Sequence, residues 1–179
     1  MGRKQELAKN TAVLTIGKLL TKLISFFLLP LYTTILAAEE YGAYDVLVTY
    51  GTLLIPIFNW QFDQGLFRFM LDNRKDEEKQ KELFSTMFFS CFLQIAVYVI
   101  LFLLVMPLLK MEDAYFLLWY VVLHIFFQLL HQFIRGRGGN VKYTIASFIS
   151  TSMITIMNVI TLVFLKMGVQ GMYISTLVA

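Results

Sequence analysis

The sequence predicts an all-α, polytopic membrane helix bundle, and three observations support this prediction. Hydrophobic residues make up 58% of the chain and charged residues only 15%, whereas soluble domains average about 45–50% apolar and about 25% charged. The mean hydropathy is +0.69. Five apolar stretches are each long enough to cross a bilayer core of about 30 Å at about 1.5 Å per residue. They cover residues 12–36, 41–62, 84–109, 114–134 and 143–165.

The positive charges outside these stretches fall mainly in every second connection. One side of the membrane receives Arg3, Lys4, Lys9, Arg68, Arg74, Lys75, Lys79, Lys81, Arg135, Arg137 and Lys142. The other side receives Lys110 and Lys166. Because Lys and Arg are enriched in cytoplasmic loops, we expect the N-terminus to be cytoplasmic and the protein to lie in the cytoplasmic membrane.

A sixth apolar run extends from Gly171 to Ala179. Nine helical residues span only about 13.5 Å, which is less than half of the hydrocarbon core. We therefore expect the natural protein to continue beyond this sequence. In this prediction residues 1–179 form a single membrane domain, the N-terminal lobe of a transporter with two lobes. It contains five complete transmembrane helices and the truncated start of a sixth.

The first stretch has a polar face. Thr11, Thr15, Lys18, Lys22 and Ser25 follow one another at steps of four, three, four and three, which places them on one side of a helix. A lysine at the bilayer centre costs about 2.5–3.5 kcal/mol on the insertion scale. We therefore predict that Lys22 and Lys18 line a water-filled cavity. For Lys18, an alternative is that its stem reaches the headgroups and anchors the helix.

The second stretch repeats this pattern along its whole length. Its polar face consists of Asp45, Thr49, Thr52, Pro56, Asn59 and Asp63. Asn59 is predicted to line the cavity. Asp45 and Asp63 lie near opposite ends of the stretch, so each is either a boundary residue or a carrier of a coupling ion.

The fourth stretch carries His124, Gln128, His131 and Arg135 at steps of four, three and four. Each polar group inside a bilayer needs a partner or water, so we predict that this stripe also lines the cavity. Cationic groups would then dominate the cytoplasmic half of the cavity. Such a cavity suits an anionic solute, such as a pyrophosphate or a carboxylate.

Other functional classes receive little support from the sequence. No basic patch is interleaved with exposed aromatic residues, so a nucleic acid partner is not expected. The only cysteine, Cys91, offers neither a disulfide framework nor a cysteine metal site. The glycine cluster at 135–140 lacks the Lys-Ser/Thr ending of a phosphate loop and is interpreted as a cytoplasmic turn. We predict no catalytic residue, no metal and no cofactor, and hence no enzyme.

Two segments resemble bacterial polysaccharide flippases. Residues 29–36 (LPLYTTIL) and 39–44 (EEYGAY) are similar to the end of helix one and the start of helix two in that family. Residues 61–69, with Gln64 and Arg68, resemble the end of its second helix. The resemblance is to Wzx-type oligosaccharide flippases, which belong to an exporter superfamily with lipid II flippases and multidrug extruders.

This resemblance implies a parent protein with twelve or more helices in two lobes. Its implied function is to move a lipid-pyrophosphate-linked oligosaccharide across the cytoplasmic membrane by alternating access, for surface polysaccharide biosynthesis. Lys18, Lys22 and Arg135 are then the candidate cavity cations. The implied partners are the lipid-linked oligosaccharide, membrane lipid, and possible contacts with a polysaccharide polymerase and glycosyltransferases.

Three alternatives remain open at this point. A drug or metabolite extruder of the same superfamily, coupled to sodium or protons, could use Asp45, Asp63 or the histidines as ion carriers. A membrane enzyme acting on lipid-linked sugars would need carboxylate pairs, a histidine base or metal ligands at the membrane surface, and none stands out. A scaffold or receptor would not need polar faces on three helices.

Overall fold

The computed structural model describes residues 3–109 and 113–179, and these residues are almost entirely helical, with no strand among them. The predicted all-α fold is therefore confirmed. The helices are α1 (Arg3–Ile35), α2 (Ala38–Asn59), α3 (Phe62–Asp72), α4 (Glu77–Leu109), α5 (Ala114–Gly136), α6 (Asn140–Val159) and α7 (Val169–Val178). A π-helical turn, Ile160–Phe164, continues α6.

Five helices of the described chain are long and apolar enough to cross a membrane. The spans are 15–35, 38–59, 77–108, 114–136 and 140–164. This confirms the prediction of a polytopic helical bundle. Of the remaining helices, α3 has 11 residues and α7 has 10 residues, and neither is among these spans.

The chain forms two compact units. Unit 1 consists of residues 1–45 and 139–179, and unit 2 of residues 46–138. Helix α2 begins in unit 1 and ends in unit 2. Each unit is therefore built from helices that are not all consecutive in the sequence.

In unit 1, α1 packs along α6. Gly17 permits close approach because a Cβ at that position would overlap the side chain of Thr144. Further along α1, Leu28 and Tyr32 join a buried apolar cluster with Leu162 and Met172. Dispersion contacts among such side chains stabilise this packing, because lipid tails are as apolar as the side chains and leave no hydrophobic driving force between membrane helices.

In unit 2, α3 and α4 pack against α5. The buried core includes Leu66 and Met70 of α3 and Val121 and Ile125 of α5, each 0% exposed. Helix α2 approaches α5 at Gly51, where a Cβ would overlap the ring of Tyr120. The side chain of Tyr120 on α5 thus packs directly on the backbone of α2.

The backbone breaks between α2 and α3. Trp60 and Gln61 have φ angles of 50° and 57°, the left-handed conformation that costs non-glycine residues about 1–2 kcal/mol. The carbonyl oxygen of Gln61 accepts the N–H groups of Gln64 and Gly65, both at 3.1 Å, which starts α3. The second apolar stretch of the sequence ends at 62, whereas α2 ends at Asn59 and a separate helix follows.

The approach of α2 to α5 can be tested by adding one methyl group. We expect Gly51→Ala to lower the free energy of unfolding by about 1–3 kcal/mol, because the ring of Tyr120 is buried and cannot move aside. Thermal unfolding in detergent can be followed with a thiol dye, since Cys91 is buried in the fold. The control is Gly42→Ala, on the same helix, where a Cβ meets nothing within 4 Å. An unfolding temperature of Gly51→Ala equal to that of the control would contradict this packing.

The left-handed break predicts an unusual order of substitutions at Gln61. Gln61→Gly should stabilise the fold by about 1 kcal/mol, and Gln61→Val should destabilise it by about 1–2 kcal/mol, because only glycine adopts positive φ without strain. The same thermal assay measures both. At exposed Leu53, inside α2, the order should reverse, since glycine weakens a regular helix by about 1 kcal/mol. If valine gave the more stable protein at both positions, the helix would be continuous through Gln61.

Candidate functional site

A buried pair of polar side chains spans the break between α2 and α3. Asn59 is the last residue of α2, and its Nδ2 donates a hydrogen bond of 2.7 Å to Oδ1 of Asp63, in the first turn of α3. Nε2 of Gln64 donates to the other carboxylate oxygen of Asp63 at 2.8 Å. Asn59 and Asp63 are only 4% and 3% exposed. The carboxylate is therefore held by amides on both oxygens.

Helix α5 contributes the opposite side of this site. Oε1 of Gln128 lies 3.4 Å from Nδ2 of Asn59, so one amide nitrogen faces oxygens from both α3 and α5. His124, one turn earlier, packs its ring on Tyr120 at a centroid distance of 4.4 Å. A cavity of about 380 Å³ opens here, and its lining residues are Thr52, Ile55, Pro56, Asn59, Gln61, Asp63, Gln64, His124 and Gln128.

The site lies within the length of α5, which is one of the candidate membrane spans. Gln128 precedes the end of α5 at Gly136 by eight residues, which corresponds to about 12 Å. Between these levels α3 runs beside α5, since the guanidinium of Arg135 lies 4.3 Å from the ring centre of Phe67. The break in the backbone therefore falls inside the span of α5 and not in a loop outside it.

Two backbone features leave free acceptors beside the cavity. Pro56 has no N–H, so it cannot donate to the carbonyl of Thr52, four residues earlier on the cavity wall. Because α2 stops at Asn59, its last carbonyls have no following turn to donate to them. The cavity wall thus combines the side-chain oxygens of Asp63 and Gln128 with a stretch of α2 whose regular backbone hydrogen bonding is interrupted.

The stripe predicted on the fourth stretch divides into two parts. His124 and Gln128 line the cavity, whereas His131 and Arg135 are not among its lining residues. The ring of His131 packs against Phe127 at 4.0 Å, and Arg135 lies over Phe67. Within unit 2 the structure thus brings together four of the residues predicted from sequence, namely Asn59, Asp63, His124 and Gln128.

Lys18 and Lys22 belong to unit 1. Both are exposed and lie on α1, beside and not within the face that contacts α6, whose buried members include Gly17 and Leu28. Asp45 is also exposed, on the part of α2 that belongs to unit 1.

Neither Gln61 nor Gln64 was predicted to line the cavity. Gln64 follows Asp63 directly and so lies off the helical stripe, yet its amide holds the second carboxylate oxygen. Gln61 enters the cavity wall only because the chain turns left-handed there. The available signal in the sequence was the group of amide side chains close to Asp63, namely Asn59, Gln61 and Gln64.

Comparison with protein families gives one match. The family described as "Polysaccharide biosynthesis protein" matches residues 7–179, nearly the whole chain. Comparison with curated proteins and with solved structures finds no match. The chain, a membrane helix bundle with a polar cavity in one of its units, therefore belongs to the polysaccharide biosynthesis protein family.

Proposed function

We propose that the protein is a flippase, which moves a lipid-pyrophosphate-linked oligosaccharide across the cytoplasmic membrane by alternating access. The observation that carries this proposal is the cavity of about 380 Å³ at the break between α2 and α3, within the membrane-spanning part of unit 2. A polar cavity at this depth provides a hydrophilic solute with partners that lipid lacks. Membership of a polysaccharide biosynthesis family supports a saccharide as that solute.

The chemistry of the lining fits a saccharide. Sugar hydroxyls both donate and accept hydrogen bonds, and the amides of Asn59, Gln64 and Gln128 do the same. The carboxylate of Asp63 accepts only, which suits a hydroxyl donor. Most of the residues that line this cavity are polar, which favours the saccharide over the drug-extruder alternative.

The cationic residues are proposed to bind the pyrophosphate of the substrate. Lys18 and Lys22 are exposed on a membrane-spanning helix, where contact with acyl chains would cost about 2.5–3.5 kcal/mol for each at the bilayer centre. We assign their ammonium groups to water and to the pyrophosphate of the substrate. Within unit 2, we propose that Arg135 and His131, near the end of α5, lie along the path of the substrate.

The orientation of the chain follows from its charges. Arg74 and Lys75 lie between α3 and α4, and Arg137 lies between α5 and α6. Enrichment of Lys and Arg in cytoplasmic loops supports a cytoplasmic position for these connections and for the N-terminus.

A polysaccharide polymerase and glycosyltransferases are the proposed partners, because they would supply and consume the lipid-linked saccharide.

The cavity is tested by Gln128→Leu, in the full-length protein expressed in cells that lack the chromosomal gene. We expect surface polysaccharide to fall by about tenfold or more, since one amide that bonds to the sugar is lost and its partner Asn59 is left less satisfied. The control is Gln132→Leu, one turn further along the same helix and outside the cavity lining, whose Oε1 has no partner among the described residues. Equal export by both variants at equal protein level would exclude this cavity as the transport site.

The cationic face is tested by Lys22→Ala in the same cells. Export should fall by about tenfold or more, because a charge-assisted contact with the pyrophosphate is removed. Protein level should not fall, since replacing lysine makes insertion of α1 more favourable. Lys22→Arg should retain export, and Lys75→Ala, in the exposed α3–α4 connection, is the control. Normal surface polysaccharide with Lys22→Ala would refute the role of this lysine.

A further inference from the structure

A second cavity lies in unit 1, at the ends of three candidate membrane spans. Its volume is about 420 Å³, and ligand pockets typically measure about 300–1,000 Å³. Its lining residues are Ile35, Leu36, Glu40, Leu162, Val163, Lys166 and Gly168. Two of the spans end at residues 35 and 164, and one begins at residue 38. The cavity therefore lies at the level where the hydrocarbon core meets the lipid headgroups.

The lining of this cavity changes from apolar to charged as it becomes more exposed. Leu36 and Leu162 are 6% and 1% exposed and belong to the buried apolar cluster of unit 1. Val163 is partly open to the surroundings, and Glu40 and Lys166 are exposed. A ligand that matches this lining combines an apolar part with charged groups.

The two charged residues lie on the same cavity without pairing. Among the residues that the structure describes, no ion pair joins Glu40 to Lys166. Oε2 of Glu40 accepts the N–H of Ala37 at 3.1 Å. Oε1 of Glu40 faces the connection that carries Lys166, because a Cβ at Gly168 would lie 4.0 Å from it. In the described part of the chain, neither this oxygen nor Nζ of Lys166 has a hydrogen-bond partner.

We propose that this cavity binds a phospholipid whose headgroup carries both a primary ammonium and a phosphate, as phosphatidylethanolamine does. The ammonium donates a hydrogen bond to Oε1 of Glu40, and a phosphate oxygen accepts one from Nζ of Lys166. The acyl chains leave the cavity past the apolar side chains of Ile35 and Val163, each 41% exposed, and continue into the hydrocarbon core. One molecule then satisfies both charges and the apolar lining.

Other common headgroups match these charges less well. Phosphatidylglycerol offers a phosphate to Lys166 but no cation to Glu40, so the carboxylate would face a like charge. Phosphatidylcholine carries both charges, but its quaternary ammonium has no N–H group to donate. Charge-assisted hydrogen bonds are about twice as strong as neutral ones, which favours the primary ammonium.

This lipid site is independent of the flippase proposal. Lipid binding is measured without any saccharide, and the cavity lies in unit 1, whereas the proposed saccharide cavity lies in unit 2. A failure of lipid binding would leave the flippase proposal standing. A failure of the export experiments would, in turn, leave the lipid site standing.

The test compares three phospholipids with identical acyl chains on the purified full-length protein in detergent, after its native lipid has been removed. Native mass spectrometry measures how much phosphatidylethanolamine, phosphatidylcholine or phosphatidylglycerol binds as each is titrated. We expect one site to bind phosphatidylethanolamine about tenfold more tightly than either of the other two, because only this headgroup donates to Glu40 and accepts from Lys166.

Variants of the two charged residues assign this preference to the cavity. Glu40→Gln keeps an acceptor for the N–H of Ala37 but removes the charge, and it should weaken binding of phosphatidylethanolamine by about tenfold. Lys166→Gln should weaken it by a similar factor, and Lys166→Arg should retain it. The matched controls are Glu39→Gln and Lys142→Gln, which change exposed residues outside the lining and should bind as the wild type does.

The comparison of the three lipids on the wild type decides the proposal even where a variant is unstable. Equal affinities of the wild type for phosphatidylethanolamine and phosphatidylcholine would overturn it. Tighter binding of phosphatidylglycerol than of either would also overturn it, since the site would then select anionic lipid. A folded Glu40→Gln or Lys166→Gln that binds phosphatidylethanolamine as the wild type does would place the lipid elsewhere and reject this cavity.

Discussion

The hydrogen bond from Asn59 to Asp63 is the interaction on which the arrangement of unit 2 depends. Inside a bilayer no water is available to satisfy a broken helix, so a backbone break persists only where side chains and neighbouring helices supply partners. The bond of 2.7 Å ties the end of α2 to the first turn of α3 across two left-handed residues. Without it, the strain at Trp60 and Gln61 would have no compensation from the side chains that flank them.

This bond requires close packing elsewhere in the unit. Oε1 of Gln128 lies 3.4 Å from Nδ2 of Asn59, and the ring of Tyr120, also on α5, packs on the backbone of α2 at Gly51. Unit 1 also contains a buried polar hydrogen bond next to an irregular stretch of helix. Nδ2 of its buried Asn158 donates to the hydroxyl of Tyr32 at 2.6 Å, next to a π-helical turn that also departs from regular α geometry. In both units a buried asparagine lies beside an irregular stretch of membrane helix.

The five membrane spans could be predicted from sequence because hydropathy and helix length are properties of single segments. The break after Asn59 could not be predicted in this way. It contains no glycine or proline, and the apolar side chains of Trp60 and Phe62 continue the hydropathy of α2 across it. The spacing of Asn59 and Asp63, four residues apart, also matches an unbroken helix. Their bond, like the separation of His124 and Gln128 from His131 and Arg135, depends on tertiary contacts that one segment does not encode.

A polar cavity at a helix break has a property that a cavity between regular helices lacks. In a regular helix the backbone carbonyls bond to the N–H groups four residues later, so only side chains can bind a solute. At the end of α2 the backbone itself becomes available, and Asp63 adds a charge within one turn. The break therefore provides polar backbone and side-chain groups inside a helical bundle, where lipid would provide none.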